Sequence, residues 1–484
     1  MRLIGLLLLA AAAHAQPFDV VLAGGRVMDP DTGLDAVRYV GLRGDRIAAV
    51  SEIPLEGATT LDVSGLVVAP GFIDLHAHGQ TNAANAYQAR DGVTTALELE
   101  SGVADVAQWL ARREGDAILN FGATVSHGGS RLRAMPNLSA ILEKVHTQGG
   151  EQSLTAEESR TLTQARYEPV TKENMATLYS LLEKGLHEGA LGIGMAHGYF
   201  PGANNEEIFR VFQFAAPTLT PIFTHVRGMN VDAMQEVIAD AAATGTPLHI
   251  VHVNSMSLGN IQVVLDLIGG AQKQGVDVTT EAYPYTAAST NIASTIFDPG
   301  WRDRLGMTYH DVQVQDTGER LNAQTFDLYR SKGGTVIMHM MKPEWIEIAM
   351  RTPFVMVASD GMPYAPGAHP RSAGTFSRVL GRYVREEGVL GLMEALGKMT
   401  IMPAKRLEII TPQAKRKGRL QVGADADITV FDAAKIVDTA TFEDDLSYSV
   451  GVQHVFVNGQ MVVKDGKTVE GAKPGRPLLG RFVE

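Results

Sequence analysis

At 484 residues, 45% hydrophobic and 20% charged, the chain has the composition of a globular protein and the length for one large barrel plus a smaller domain. Its net charge of -12 is spread over interleaved acids and bases with no basic stripe, which argues against a nucleic-acid partner. Cysteine is absent, which excludes disulfides, a thiolate nucleophile and cysteine-based metal sites, so any metal must rest on histidine and carboxylates.

In chain order, Arg2, an apolar run over residues 3–12 and Ala13-His14-Ala15 read as a secretory signal (residues 1–15) cut before Gln16. The run is too short to span a bilayer as a helix. A secreted or periplasmic protein is expected, without membrane contact once the signal is removed. Short β segments follow at residues 19–24, 39–42, 46–50 and 61–63, separated by Gly and Asp turns. Residues 426–431, 452–457 and 460–463 mirror them at the far end, with an Asn458-Gly459 hairpin turn. These predict one small β-sandwich domain built from residues 16–68 and 416–484.

The middle, residues 69–415, alternates apolar strand-like runs with helical patterns. The runs lie at 72–75, 92–99, 117–125, 190–196, 221–226, 247–253, 276–282 and 354–359. Helical patterns cover 172–188, 205–216, 231–244 and 260–274 between them, and 389–404 after the last. Strands alternating with helices imply a parallel sheet, and this number of strands is what a TIM-type (β/α)8 barrel needs. The fold class is α/β. Polar excursions near 126–170 and 290–335 exceed a minimal barrel and read as lids.

In such a barrel the active site forms at the C-terminal ends of the strands. Titratable residues fall there repeatedly. The first strand ends in His76 and His78, which share a face because residues i and i+2 of a strand do. The second carries Glu98 and Glu100, the fifth ends in His225, the sixth in His252 and the last in Asp360. Singly, each has a bland reading as a hydrogen-bonded strand-end group, and His249 is read that way. Together they suit one or two divalent ions with an open position for water. Zinc fits the imidazole-rich set best, and manganese, iron and cobalt stay open. Asp360 has a second task as general acid/base, taking a proton from metal-activated water and passing it to the leaving group.

The segments GFIDLHAH (71–78), GVTT (92–95), GALGIGMAHGYFPG (189–202), THVR (224–227), EAYPYTAAST (281–290) and the stretch from Ser359-Asp360-Gly361 through His369-Pro370-Arg371 resemble the amidohydrolase superfamily. Within it they resemble the D-aminoacylase (N-acyl-D-amino-acid deacylase) group. The resemblance covers nearly all the chain after residue 15. It implies metal ligation by His76, His78, His225, His252 and Asp360. It also implies substrate contacts by Tyr199, Tyr283 and Ser289, and by Arg371 on a substrate carboxylate. The group's metal-bridging cysteine is Ser101 here, and the strand at 190–196 has no lysine to carboxylate. Glu100 is therefore expected to bridge, with Glu98 as alternate ligand or support. Asn254 stands where the group can carry a carboxylate-binding lysine, leaving Arg227 or Arg371 for that task. The implied activity is deacylation of N-acyl-D-amino acids, a small-molecule substrate. A dipeptidase, a cyclic-amide hydrolase and a non-catalytic periplasmic metal- or solute-binding protein are the alternatives. Oligomeric state stays open.

Overall fold

A computed structural model describes residues 17–147, 153–444 and 446–483. The expected signal segment lies outside the described residues. No helix among them is long and apolar enough to cross a membrane.

The strands in chain order are β1 (Phe18–Asp29), β2 (Leu34–Arg43), β3 (Arg46–Ser51), β4 (Gly57–Asp62), β5 (Val67–Pro70), β6 (Phe72–Asp74), β7 (Val93–Val103), β8 (Asn120–Ser126), β9 (Ile193–Met195), β10 (Ile222–Thr224), β11 (Leu248–Ile250), β12 (Val278–Ala282), β13 (Ala288–Asn291), β14 (Val312–Val314), β15 (Thr335–Met338), β16 (Val355–Val357), β17 (Ile428–Phe431), β18 (Val452–Val457), β19 (Gln460–Lys464) and β20 (Lys467–Thr468). They form three sheets.

The central sheet has eight strands in the order β16-β12-β11-β10-β9-β8-β7-β6, every pair parallel. All eight expected strands are present. The short strands β6, β10, β11 and β16 are buried on both faces, as parallel strands covered by helices are. The sheet closes on itself where β6 meets β16. There the His78 and Gly79 N–H groups donate to Gly361 O (2.8 and 2.9 Å), and Ser359 N–H donates to Asp74 Oδ1 (3.0 Å).

The second sheet has nine strands, β20-β19-β18-β17-β5-β1-β2-β3 with β4 beside β1, and draws on both chain ends. The two ends meet where β17 pairs antiparallel with β5, Ile428 opposite Pro70. Leu22, Val40, Ile47, Val68, Ile428 and Phe456 form its apolar core. The chain passes from β5 into β6 through Gly71, where a Cβ would sit 2.2 Å from the Thr94 side chain. Only glycine lets this sheet run straight into the barrel.

The two excursions behave differently. The first, with helices His127–Ala134, Ser139–Thr147 and Ala156–Ala165, packs around its own cluster of Leu132, Met135, Leu138 and Leu162. The second folds a three-stranded antiparallel sheet, β13-β15-β14, over the C-terminal ends of the barrel strands. The helix expected at 389–404 is two helices, Leu392–Met399 and Ile401–Leu407. They break at Thr400, whose φ of -131° and ψ of -79° are not helical.

Candidate metal centre

His76 and His78 follow β6, Glu98 and Glu100 lie on β7, His225 follows β10, His252 follows β11 and Asp360 follows β16. All sit at the same end of the barrel and all but His78 are buried. The His76 and His78 Nε2 atoms are 3.2 Å apart. Asp360 Oδ1 is 3.4 Å from each. On the other side, His225 Nδ1 and His252 Nε2 lie 2.7 and 3.0 Å from Glu100 Oε1. Glu100 Oε2 faces the first pair, 3.3 Å from His76 and 3.2 Å from His78. Glu100 thus stands between two pairs of imidazoles with one oxygen toward each.

Glu98 turns the other way. Its Oε2 is 2.7 Å from His78 Nδ1 and its Oε1 accepts from Ser101 N–H, so it backs a histidine and does not enter the cluster. The glutamates differ because Glu100 lies one residue pair further along the same strand face, nearer the barrel mouth.

Ligand atoms of His76, His78 and Asp360, and of His76, Glu100 and His252, lie within 4.8 Å of one another. So many imidazole nitrogens and carboxylate oxygens facing one another is the donor set of a divalent cation site. Burial disfavours the Glu100 carboxylate, yet the charge of His76 and the hydrogen bonds of His225 and His252 outweigh it and hold Glu100 well below the usual carboxylate range. Asp360 is held low in the same way, with Arg371 and His76 overcoming burial. Both carboxylates are ionised at neutral pH, as metal ligands must be. His252 and Asp360 adopt left-handed backbone conformations, φ +33° and +50°. Such strain costs about 1–3 kcal/mol per residue and concentrates at functional sites.

The cluster floors a cavity of about 250 Å³. Tyr199 and Ser289 line it, as do Ser255, Thr290 and five methionines: Met229, Met256, Met338, Met340 and Met362. The second excursion supplies Ser289, Thr290, Asn291 and Ile296, whereas the first contributes no lining residue among the described residues. Tyr199 Oη is 3.1 Å from Thr290 Oγ1, and its ring lies 4.8 Å from the His225 ring at a tilt of 48°. Ser289 Oγ is buried without a hydrogen-bond partner among the described residues.

Arg371 and Tyr283 lie just behind the cluster. The Arg371 guanidinium packs 4.7 Å over the Tyr283 ring and ion-pairs with Asp360 Oδ2 at 2.8 Å, while its Nε has no hydrogen-bond partner among the described residues.

Two expected substrate contacts lie elsewhere. Asn254 is fully buried, donates to Tyr283 O at 3.1 Å and does not line the cavity. Arg227 opens onto an adjoining cavity of about 570 Å³, where its fork grips Glu236 (3.1 and 2.8 Å) and Nη1 donates to Ala203 O. A guanidinium already in a bidentate pair is not turned toward the cluster.

The sequence reading missed Glu281 and Asp74. Glu281 Oε1 is 2.8 Å from His76 Nδ1 and Oε2 is 3.1 Å from His249 Nε2. Burial works against its ionisation, but the two histidines bring it down to about 2. Asp74 accepts from His76 N–H and from the Ser359 N–H and hydroxyl, which fixes the last strand against the first. The available signal was position. Asp74 is two residues before His76 on the same strand face, and Glu281 lies within the strand-end segment EAYPYT.

Comparison with known proteins places this geometry. Residues 210–463 match the model of the Amidohydrolase family. The chain is 32% identical over 506 residues to the D-aminoacylase of Alcaligenes xylosoxydans xylosoxydans, covering 96% of this chain and 98% of the relative. It superposes with TM-score 0.80 and 25% identity on the N-acyl-D-glutamate deacylase of Bordetella bronchiseptica complexed with zinc and a phosphonate mimic of the tetrahedral intermediate, over 96% of this chain and all of that one. A D-aminoacylase structure described for its binuclear metal centre aligns with TM-score 0.79 and 26% identity, again over 96% and 100%. With its barrel, its paired histidines and this likeness along nearly its whole length, the chain belongs to the amidohydrolase family, in its D-aminoacylase-like group.

Proposed function

We propose that this metal-dependent amidohydrolase removes the acyl group from N-acyl-D-amino acids, with Glu100 bridging a zinc centre held by His76, His78, His225, His252 and Asp360. The carrying observation is Glu100 between two imidazole pairs with Asp360 facing one of them. Bound zinc would supply Lewis acidity toward the scissile carbonyl and hydroxide at neutral pH, lowering the pKa of water from 15.7 toward about 7.

The chain's own groups do the rest. Asp360 is ionised and lies at the cluster, so it can accept the proton of the attacking water and return it to the leaving nitrogen. Arg371 holds Asp360 through Oδ2, which leaves Oδ1 turned to the histidines. Tyr199 borders the cavity with its hydroxyl protonated, because burial pushes its pKa up, and it can donate to a developing oxyanion. Ser289 offers an unused hydroxyl to substrate. The Arg371 guanidinium, which ion-pairs with Asp360 and keeps an unused Nε, can offer a cationic donor to a substrate carboxylate.

A cyclic-amide hydrolase is the second reading. It is favoured by one observation: among the described residues, no lysine or arginine lines the metal cavity. A screen of the zinc-loaded protein against N-acetyl-D- and L-amino acids, their methylamides, dipeptides and lactams separates the two. Turnover of the D acids over their methylamides supports deacylation. Turnover of lactams alone overturns it. We also propose export, carried by the segment at residues 1–15, and a mature N-terminus other than Gln16 would contradict that cleavage.

A further inference from the structure

The first excursion lines no part of the metal cavity among the described residues, yet it is joined to the turn that carries Tyr199. That turn, His197–Tyr199, follows β9 and runs on through Phe200, Pro201 and Gly202. Tyr199 faces the metal cavity, where its hydroxyl meets Thr290. Phe200, the next residue, packs instead against the excursion's apolar cluster of Leu132, Met135, Leu138, Leu162 and Ala165. Its ring lies so close to Gly128 that a Cβ there would sit 2.3 Å from it. Gly202 donates its N–H to Arg166 O at 2.9 Å, and a Cβ on Gly202 would sit 2.4 Å from Glu168 O. Glycine at both positions is what lets the turn and the excursion approach this closely.

One side chain closes the contact. Arg131 is fully buried, on the helix His127–Ala134. Its Nε donates to Glu207 Oε1 at 2.9 Å, Nη1 to Ala165 O at 3.2 Å and Nη2 to Glu168 O. The guanidinium lies 6.0 Å from the centre of the Phe200 ring. Glu207 also meets His127 Nε2 at 3.1 Å, and it stands in the first turn of the helix Asn205–Ala215, which follows the Tyr199 turn. A buried charge is costly unless it is paired and hydrogen-bonded. Here one guanidinium ties the excursion's first helix to the carbonyls at its end and to the helix beyond Tyr199.

We propose that Arg131 is a positioning residue for Tyr199. Among the described residues it is not part of the cavity wall. Through Phe200 on one side and Glu207 on the other it fixes the backbone that follows Tyr199, while Thr290 of the second excursion holds the hydroxyl. The first excursion therefore acts on the site from behind, by keeping the tyrosine where it can meet a developing oxyanion. The inference rests on the role given to Tyr199 above.

The test is a double-mutant cycle joined to a readout that needs no turnover. In the zinc-loaded full chain, Tyr199→Phe should lower kcat by about 10²–10³-fold, the loss of one oxyanion donor. Arg131→Gln should lower kcat by about 10–100-fold with bound zinc unchanged, because a small misplacement of a reacting group costs on that scale. Made in the Tyr199→Phe chain, the same Arg131→Gln change should cost less than about threefold, since residues that act through one another are not additive. For the second readout, fluorotyrosine replaces the 12 tyrosines, and the Tyr199 fluorine resonance is identified by its absence from Tyr199→Phe. Arg131→Gln should shift or broaden that resonance. Gly128→Ala presses on the Phe200 ring without removing a charge, so it should act in the same direction with a smaller loss, and it carries the test if Arg131→Gln does not fold.

Additive losses in the cycle, loss of zinc from Arg131→Gln, or a Tyr199 resonance that neither variant moves would overturn the inference. A wild-type chain that turns over no amide contradicts the deacylase reading, which is a separate failure, and the fluorine resonance still decides whether Arg131 places Tyr199.

Discussion

Two cavities meet at His225. The larger, about 570 Å³, is lined by Arg227, Glu236, Asp232, Asn230 and Arg304, and the polar atoms of its central pair are already matched. The smaller, about 250 Å³, has the imidazole–carboxylate cluster as floor, a wall of methionines and a buried hydroxyl without a partner. Size and charge would favour the first. Unsatisfied donors, strained backbone and convergent ligand atoms favour the second, and those properties are costly in a folded protein unless a ligand repays them. The larger space reads as an approach to the site or as room for the far end of a substrate.

The comparison can be broken most sharply at Asp360. Asp360→Asn keeps the shape and removes the proton carrier, so kcat should fall by about 10²–10⁴-fold. The same change at Glu236 in the larger cavity should not do so. Equal losses at both positions, measured by steady-state kinetics, would erase the distinction.

Next in size is the pair on β7. Glu100→Ala should lose both bound metal and activity, while Glu98→Ala retains more of each. Metal content by mass spectrometry with parallel kinetics checks the ranking, and the reverse ranking refutes the assignment of Glu100 as the bridge.

A smaller effect is expected from Arg227→Gln. With its fork already on Glu236, the change should raise KM by less than about tenfold and leave kcat near wild type, because an interaction made equally in ground and transition state appears in KM alone. A collapse of kcat would move Arg227 into the catalytic cavity.

The smallest prediction concerns pH and sits behind the larger cavity, on the helix Val231–Thr244 that carries Glu236. Burial, and then the charge of Glu236, push the Asp240 carboxyl up to about 6. A carboxyl raised above its unfolded value adds stability that is fully present below the unfolded pKa of about 4 and is lost as pH rises through 6. The Tm advantage of Asp240→Asn over wild type should therefore widen between pH 4 and 6 and stay level above. A constant gap would remove Asp240 from the account.

How much of this was legible in the sequence follows from what each signal depends on. Barrel strands such as Ile222–Thr224 and Leu248–Ile250 are short, apolar and buried on both faces, so the run itself announces them. Their ends then point to His225, His252 and Asp360. The three-stranded sheet in the second excursion was not visible, because Ala288–Asn291 and Val312–Val314 are short and carry serine, threonine, asparagine and glutamine. Its position decides which residues wall the cavity, and neither that nor the methionine wall is written in local periodicity. Glu281 was hidden for a related reason. Its importance lies in a partner 205 residues away, and a single sequence records no such pairing. Arg227 stands beside a true cluster residue in THVR, yet its side chain follows Glu236 nine residues on.

The seam between the first and last barrel strands carries one more consequence. Asp74 and Ser359 are 285 residues apart in the chain, and their hydrogen bonds lie directly beneath His76 and Asp360. An ion gripped by both residues would act as a clasp on a very long loop. The entropy of closing such a loop grows only with the logarithm of its length, but it is lost in a single step. The folded barrel has already met that cost, whereas an unfolding chain regains it only by letting the ion go. Metal release and opening of the barrel should therefore occur as one cooperative event at the seam, and the temperature at which the protein sheds its ion should coincide with the temperature at which it unfolds.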